Sequence, residues 1–102
     1  MAGMTQPPTV TDNTGQTRFE LRVGGALAEL IYRRRADRLI LVHTEVPDEL
    51  GGRGIGGQLV QAALAKAASE DLTVVPLCPF ARGWLERHPE AANGIRIDWD
   101  SR

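Results

Sequence analysis

Three groups of residues in this chain have the types and spacing to do chemistry. The first is GGRGIGG, residues 51–57, where five of seven residues are glycine and a helical pattern begins at once. Glycine costs roughly 0.5–1 kcal/mol against alanine inside regular structure, so such density calls for a use of bare backbone. The first turn of a helix leaves N–H groups without intrahelical partners, and the macrodipole adds about half a positive charge there. Without Cβ atoms an anion can come close to those amides, and a phosphate or pyrophosphate is the natural occupant. Arg53 adds a cation from within the loop. A merely flexible connection would need only one or two glycines, and none running into the helix.

The second group is Cys78 followed by Pro79. A thiol where a strand ends and a helix begins feels the helix N-terminus, which favours the nucleophilic thiolate. Free cysteine is also among the most buried residue types and often only packs. The third group is His43 and Glu45, two residues apart on a strand, where either can act as a base. His88 falls in step with Phe80 and Trp84 and reads as a packing or helix-end residue, with both aromatics in the core. One cysteine and two widely spaced histidines give no metal-ligand pattern.

The elements that must position these groups follow from periodicity. TRFELRV alternates, with Phe19, Leu21 and Val23 on one face, and Gly24-Gly25 signals a tight hairpin. ALAELIYRRR and DRLILVHTEV follow around Ala36-Asp37, giving an antiparallel meander ended by Pro47. A helix is predicted from about Gly54 to Ser69, with Ile55, Leu59, Ala62, Ala63 and Ala67 on its apolar stripe. LTVVPLC reads as a strand covered on both faces, and PFARGWLERH as a second, shorter helix started by Pro79. IRIDW is either one more edge strand or a loose tail. The fold class is α+β: an antiparallel meander plus a strand–helix–strand crossover, forming a mixed sheet with helices packed on it.

The 102 residues carry 25% charged and 42% hydrophobic side chains, as an ordinary globular domain does. Residues 1–17 are polar with two prolines and read as a disordered arm; residues 18–102 read as one domain. A formal net charge of -1 gives no general attraction to nucleic acid or an acidic membrane. No apolar run approaches the roughly 20 residues needed to span a bilayer, and the start lacks the features of a secretory signal. With a single cysteine, these point to a cytoplasmic protein. No apolar stripe is left unassigned, which favours a monomer.

Gly52, Gly54 and Gly57 literally satisfy G-x-G-x-x-G. A dinucleotide fold would also need an acidic residue closing the next strand, and here Glu70 and Asp71 precede it. A P-loop fails for want of Gly-Lys-Ser/Thr, and a KH-type GxxG belongs between two helices. The pattern that remains, Q/R-x-x-G-x-G/A opening a helix after a meander, falls on residues 51–56. With HTEVPDELGGRGIG, VVPLCPF and HPE in order, the chain resembles the GCN5-related N-acetyltransferase superfamily (GNAT), and within it the small YidJ-like single-domain subgroup. The likeness spans residues 19–90.

The resemblance implies a GNAT-like acyl-coenzyme A N-acyltransferase fold with acetyl-coenzyme A as donor and a small amine or a protein amine as acceptor. It implies that Gly51, Gly52, Arg53, Gly54, Ile55, Gly56 and Gly57 hold the pyrophosphate of coenzyme A. The strand Thr44, Glu45 and Val46 would pair with the pantetheine arm through its backbone. It makes Cys78 a candidate acetyl relay; beside it, His43 reads as a base toward Cys78 or the incoming ammonium, and Glu45 as a base that activates the amine through water. Gly51 replaces the usual Gln or Arg of the pattern, leaving phosphate to amides and Arg53. Arg33, Arg34 and Arg35 read as a solvated hairpin end within possible reach of the adenosine 3′-phosphate. The superfamily's extra helices between its first two strands are replaced by Gly24-Gly25, so the chain has little of its own to select an acceptor. A second function class stays open: a coenzyme A-binding module or partner-dependent subunit without turnover of its own.

Overall fold

The computed structural model describes residues 9–100. Its elements in chain order are β1 (Thr11–Asn13), β2 (Arg18–Val23), β3 (Ala26–Arg35), β4 (Arg38–Glu45), α1 (Ile55–Glu70), β5 (Thr73–Pro76) and α2 (Pro79–Arg87). Short 3-10 turns at Asp48–Leu50 and Pro89–Ala92 follow β4 and α2. The sheet order is β1-β2-β3-β4-β5, antiparallel throughout except for the parallel β4–β5 pair that the α1 crossover joins. This is the mixed sheet the alternation predicts, and Val23 pairs directly with Ala26 across the hairpin.

Alternation decides what is buried. Phe19, Leu21, Ala28, Leu30, Tyr32, Leu39 and Leu41 point from the meander into one core. The α1 side chains Leu59, Val60, Ala63 and Ala67 close it from above. Burial of each large aliphatic side chain stabilises the fold by roughly 1.5–3 kcal/mol. On the opposite sheet face, where no apolar layer is required, Arg18 pairs with Glu20 and Glu29.

One detail corrects the sequence reading, and a second resolves what it left open. Thr11–Asn13, placed there in a disordered arm, form an edge strand on β2; residues 1–8 of that arm lie outside the described residues. A polar chain this short is held because Asp12 reaches inward to two partners, accepting hydrogen bonds from Tyr32 Oη (2.6 Å) and Lys66 Nζ (2.8 Å). The IRIDW segment contributes only an isolated bridge of Ile97 to Val74, fixed by Val74 N–H to Arg96 O and Asp98 N–H to Val74 O.

One irregularity positions the site. Ile31 pairs with His43, yet Tyr32 pairs with Leu41, so Val42 is an extra residue in β4. Such a bulge shifts the facing of everything after it. Leu41 faces the core and, three residues on instead of two, so does Thr44 opposite the fully buried Leu30.

Candidate functional site

The turn after β4 is anchored by Leu50, which is buried in the core. Beyond it the chain needs conformations that side chains resist: Gly52 has φ +78° and Gly54, which caps α1, has φ +72°. A Cβ at either glycine would meet nothing within 4 Å, so backbone conformation is what demands glycine there. No side chain caps α1 and no acidic residue lies in its first turn. The first intrahelical bond is Gln58 N–H to Gly54 O (3.1 Å), which follows the amides of residues 55–57.

Gly56 and Gly57 are glycine for a different reason. A Cβ on Gly56 would lie 2.5 Å from the Phe80 ring, and one on Gly57 would lie 2.5 Å from Trp84 Nε1. Two aromatic rings of α2 thus rest on the bare first turn of α1. The sequence expects Phe80 in the core beside Trp84, but Phe80 is 40% exposed while Trp84 is 8% exposed. Pro79 opens α2 as expected, and Phe80 directly after it lies in the first turn, at the open rim. Between this rim and Val46 lies a cavity of about 300 Å³, lined also by Leu50, Ile55 and the loop glycines. Phe80 and Trp84 as cavity walls are what sequence reasoning missed; the phenylalanine right after a helix-starting proline was the available signal.

The cavity lies where the sheet opens. The β4–β5 ladder ends at Leu41 opposite Pro76, whereas β4 continues to Glu45. Cys78 sits at this fork, its N–H bonded to Leu41 O (2.9 Å) and its side chain buried at 2% exposure. It is the N-cap residue of α2, but its sulfur makes no capping bond; Sγ instead lies 3.1 Å from Thr44 Oγ1.

His43 and Glu45 project to the other side of β4. His43 Nε2 lies 2.9 Å from Glu45 Oε1, and both side chains are more than half exposed. The structure therefore brings these two together and separates them from Cys78, so His43 is not the thiol's base. The bulge at Val42 explains the separation, since it turns Thr44 toward the sulfur in place of His43. Arg53 is exposed on the loop. His88 closes α2, stacked on Trp84 at 4.1 Å with Nδ1 2.9 Å from Trp84 O. The arginine run is far from the glycines: β4 separates them by eight residues, roughly 23 Å at the usual strand rise. Arg34 there pairs with Glu70 at the far end of α1, which removes the run as a clamp for a phosphate at this site.

Among the described residues no group of three or more His, Cys, Asp or Glu could hold a metal, and no helix is long and apolar enough to cross a membrane. The bare helix start, the left-handed glycines and the adjoining cavity suit a chain of phosphates leading into a narrow apolar arm.

An antiparallel meander joined by a glycine corner to a parallel crossover, with the sheet forked at that corner, is the mixed α+β fold of GNAT-like proteins. Residues 18–94 match the family model of the GCN5-related N-acetyl-transferase. Protein NATD1 of Mus musculus is 34% identical over 86 residues, covering 81% of this chain and 78% of that protein. Protein NATD1 of Homo sapiens is equally similar, with 76% of its length covered. A GCN5-like protein of Staphylococcus aureus solved by NMR superposes with a TM-score of 0.68 at 27% identity, covering 100% of this chain and 97% of that one. The chain belongs to the GCN5-related N-acetyltransferase family, and it is an acetyltransferase.

Proposed function

We propose that this protein moves the acetyl group of acetyl-coenzyme A onto an amine through an acetyl-cysteine on Cys78. The observation that carries the reading is spatial. The anion-ready glycine corner and its cavity adjoin the end of β4, and a buried thiol sits at the fork where β4 leaves β5. Amides of residues 55–57, the loop glycines and Arg53 hold the pyrophosphate of the donor. The edge of β4 that β5 leaves free, at Thr44 and Glu45 and on to Val46, takes the pantetheine arm as an added strand. Cys78 Sγ then bonds to the acetyl carbon as the carbon–sulfur bond of the donor breaks, and the thiol proton ends on the departing sulfur. The neutral amine attacks the acetyl-cysteine next, releasing the Cys78 sulfur and losing its proton. That proton passes to the departing Cys78 sulfur and restores the thiol, while the His43–Glu45 pair, on the exposed side of the same strand, takes the proton of the incoming ammonium before it attacks. The direct β2–β3 hairpin leaves this side open, so the acceptor is a small amine or an amine on another protein's surface.

A second reading is favoured by the burial of Cys78 and by the lack of a titratable side chain bonded to its sulfur: the amine attacks the donor directly and the cysteine only packs. A third outcome, coenzyme A binding without transfer, leaves the corner but removes the chemistry. Titration with coenzyme A and with acetyl-coenzyme A, followed by amide spectra and intact mass, separates them. We expect both ligands to move the amides of residues 51–57 and raise the melting temperature, and only the acetylated one to add an acetyl group at Cys78. No response at millimolar ligand overturns the donor site. Full transfer by Cys78→Ala overturns the relay.

A further inference from the structure

We infer that Thr44 is the positioning residue of the relay: its hydroxyl, instead of the start of α2 or a histidine, holds and activates the Cys78 sulfur. The inference rests on Cys78 carrying the acetyl group. It stands on three observations. First, Cys78 occupies the N-cap position of α2, yet its side chain makes no bond to the first-turn amides. The sulfur is turned across the fork, where Thr44 Oγ1 lies 3.1 Å away. Second, Thr44 reaches that position only because Val42 is an extra residue in β4; strict alternation from Leu39 and Leu41 would have delivered His43 to the core face. The bulge thus swaps an imidazole for a hydroxyl at the thiol. Third, a side chain 2% exposed cannot rely on water to solvate a sulfur that gains negative charge. A single well-placed donor supplies what water would.

The step balances without any further reagent. Thr44 O–H donates to Cys78 Sγ as the thiol gives up its proton and attacks the acetyl carbon. The carbon–sulfur bond of the donor breaks, and the departing sulfur takes the proton. When the amine later attacks the acetyl-cysteine, the same hydroxyl donates to Sγ as it leaves. β-Branching holds Thr44 in few rotamers on a strand, so the hydroxyl stays aimed between turnovers.

The test compares wild type with Thr44→Val, which keeps shape and strand preference but lacks the hydroxyl, and Thr44→Ser, which keeps the hydroxyl. Mixing each with acetyl-coenzyme A and quenching for intact mass gives the rate and concentration dependence of Cys78 acetylation. We expect T44V to slow acetylation about tenfold, the scale of one hydrogen bond to a charged group. Half-saturation should stay within about twofold, because Thr44 meets the donor only through its backbone, which valine keeps, and T44S should recover most of the rate. Thr44→Ala repeats the measurement if valine disturbs the fold. Acetylation of T44V and T44A at the wild-type rate overturns the role of Thr44 while leaving the relay intact. Wild-type Cys78 that never becomes acetylated overturns both, and turnover in that case assigns direct transfer.

Discussion

The two ends of α1 are built on opposite plans. At its start the chain spends four glycines, two for left-handed backbone and two to admit aromatic rings, and leaves the first turn without a side-chain cap or a carboxylate. At its end, polar side chains are chained together: Tyr32 to Asp12, Asp12 to Lys66, Lys66 to Glu70, and Glu70 to Arg34. The contrast teaches where each job is done. The latched end ties β1, β3 and the helix into one body, and that support lets the other end stay bare enough to meet an anion.

The sharpest break of this comparison is Gly57→Ala. The new Cβ would lie 2.5 Å from Trp84 Nε1, and the ring is 8% exposed in the core with His88 stacked on it. It has nowhere to go, so overpacking should cost about 2–3 kcal/mol, read as a lower urea midpoint and a shifted tryptophan emission. Gly56→Ala sets up the same 2.5 Å clash with Phe80. That ring is 40% exposed and can swing outward, so the loss should be under about 1 kcal/mol, with the change felt in the cavity. Equal losses for both would show that Phe80 is as fixed as Trp84.

The next break is at the latched end and is made by alkali. Burial, and then the hydrogen bond to Asp12, push the Tyr32 hydroxyl up to about 12 from its ordinary 10. The hydrogen bond to Asp12 likewise raises Lys66, against the opposing effect of its burial. The folded chain keeps these protons at pH values where the unfolded chain has lost them. Stability is therefore fully present below pH 10 and falls as pH rises toward 12, by about 2 kcal/mol from Tyr32. Chemical denaturation at pH 9, 10 and 11 checks this, and Tyr32→Phe should flatten the slope. A slope unchanged in that variant would remove Tyr32 from the account.

How much of this could be read beforehand differs between the two ends. The meander, the crossover helix and the glycine corner were legible, because strand alternation, a three-and-four apolar step and glycine density are local signals. Gly56 and Gly57 were legible as glycines but not as seats for Phe80 and Trp84, since that contact joins two helices across a strand. The facing of His43 and Thr44 was hidden by the bulge at Val42, a one-residue slip that depends on pairing with β3. The Asp12 link lay in a polar stretch with no periodicity, and only the fold brings it to Tyr32 and Lys66.

The gentlest test trims the latch at its outermost member. Arg34 and Glu70 form a pair whose side chains are 44% and 38% exposed. Water and salt screen such a pair, so Arg34→Gln should lower the melting temperature by about 2 °C or less, and by less still in 1 M salt. Hydrogen bonds from Lys66 first and Arg34 second hold the Glu70 carboxyl below its ordinary range. Its contribution is therefore present near neutrality and is lost as pH falls through that lowered value. Because Lys66 is the larger cause, acid titration of Arg34→Gln should keep most of the wild-type slope, whereas Lys66→Met should lose it. The glycine end offers acid nothing to protonate in the first turn of α1, so amide shifts of residues 55–57 should stay flat over the same range. Movement of those amides together with Glu70 would mean that the two ends of the helix are coupled, and the division of labour between them would have to be given up.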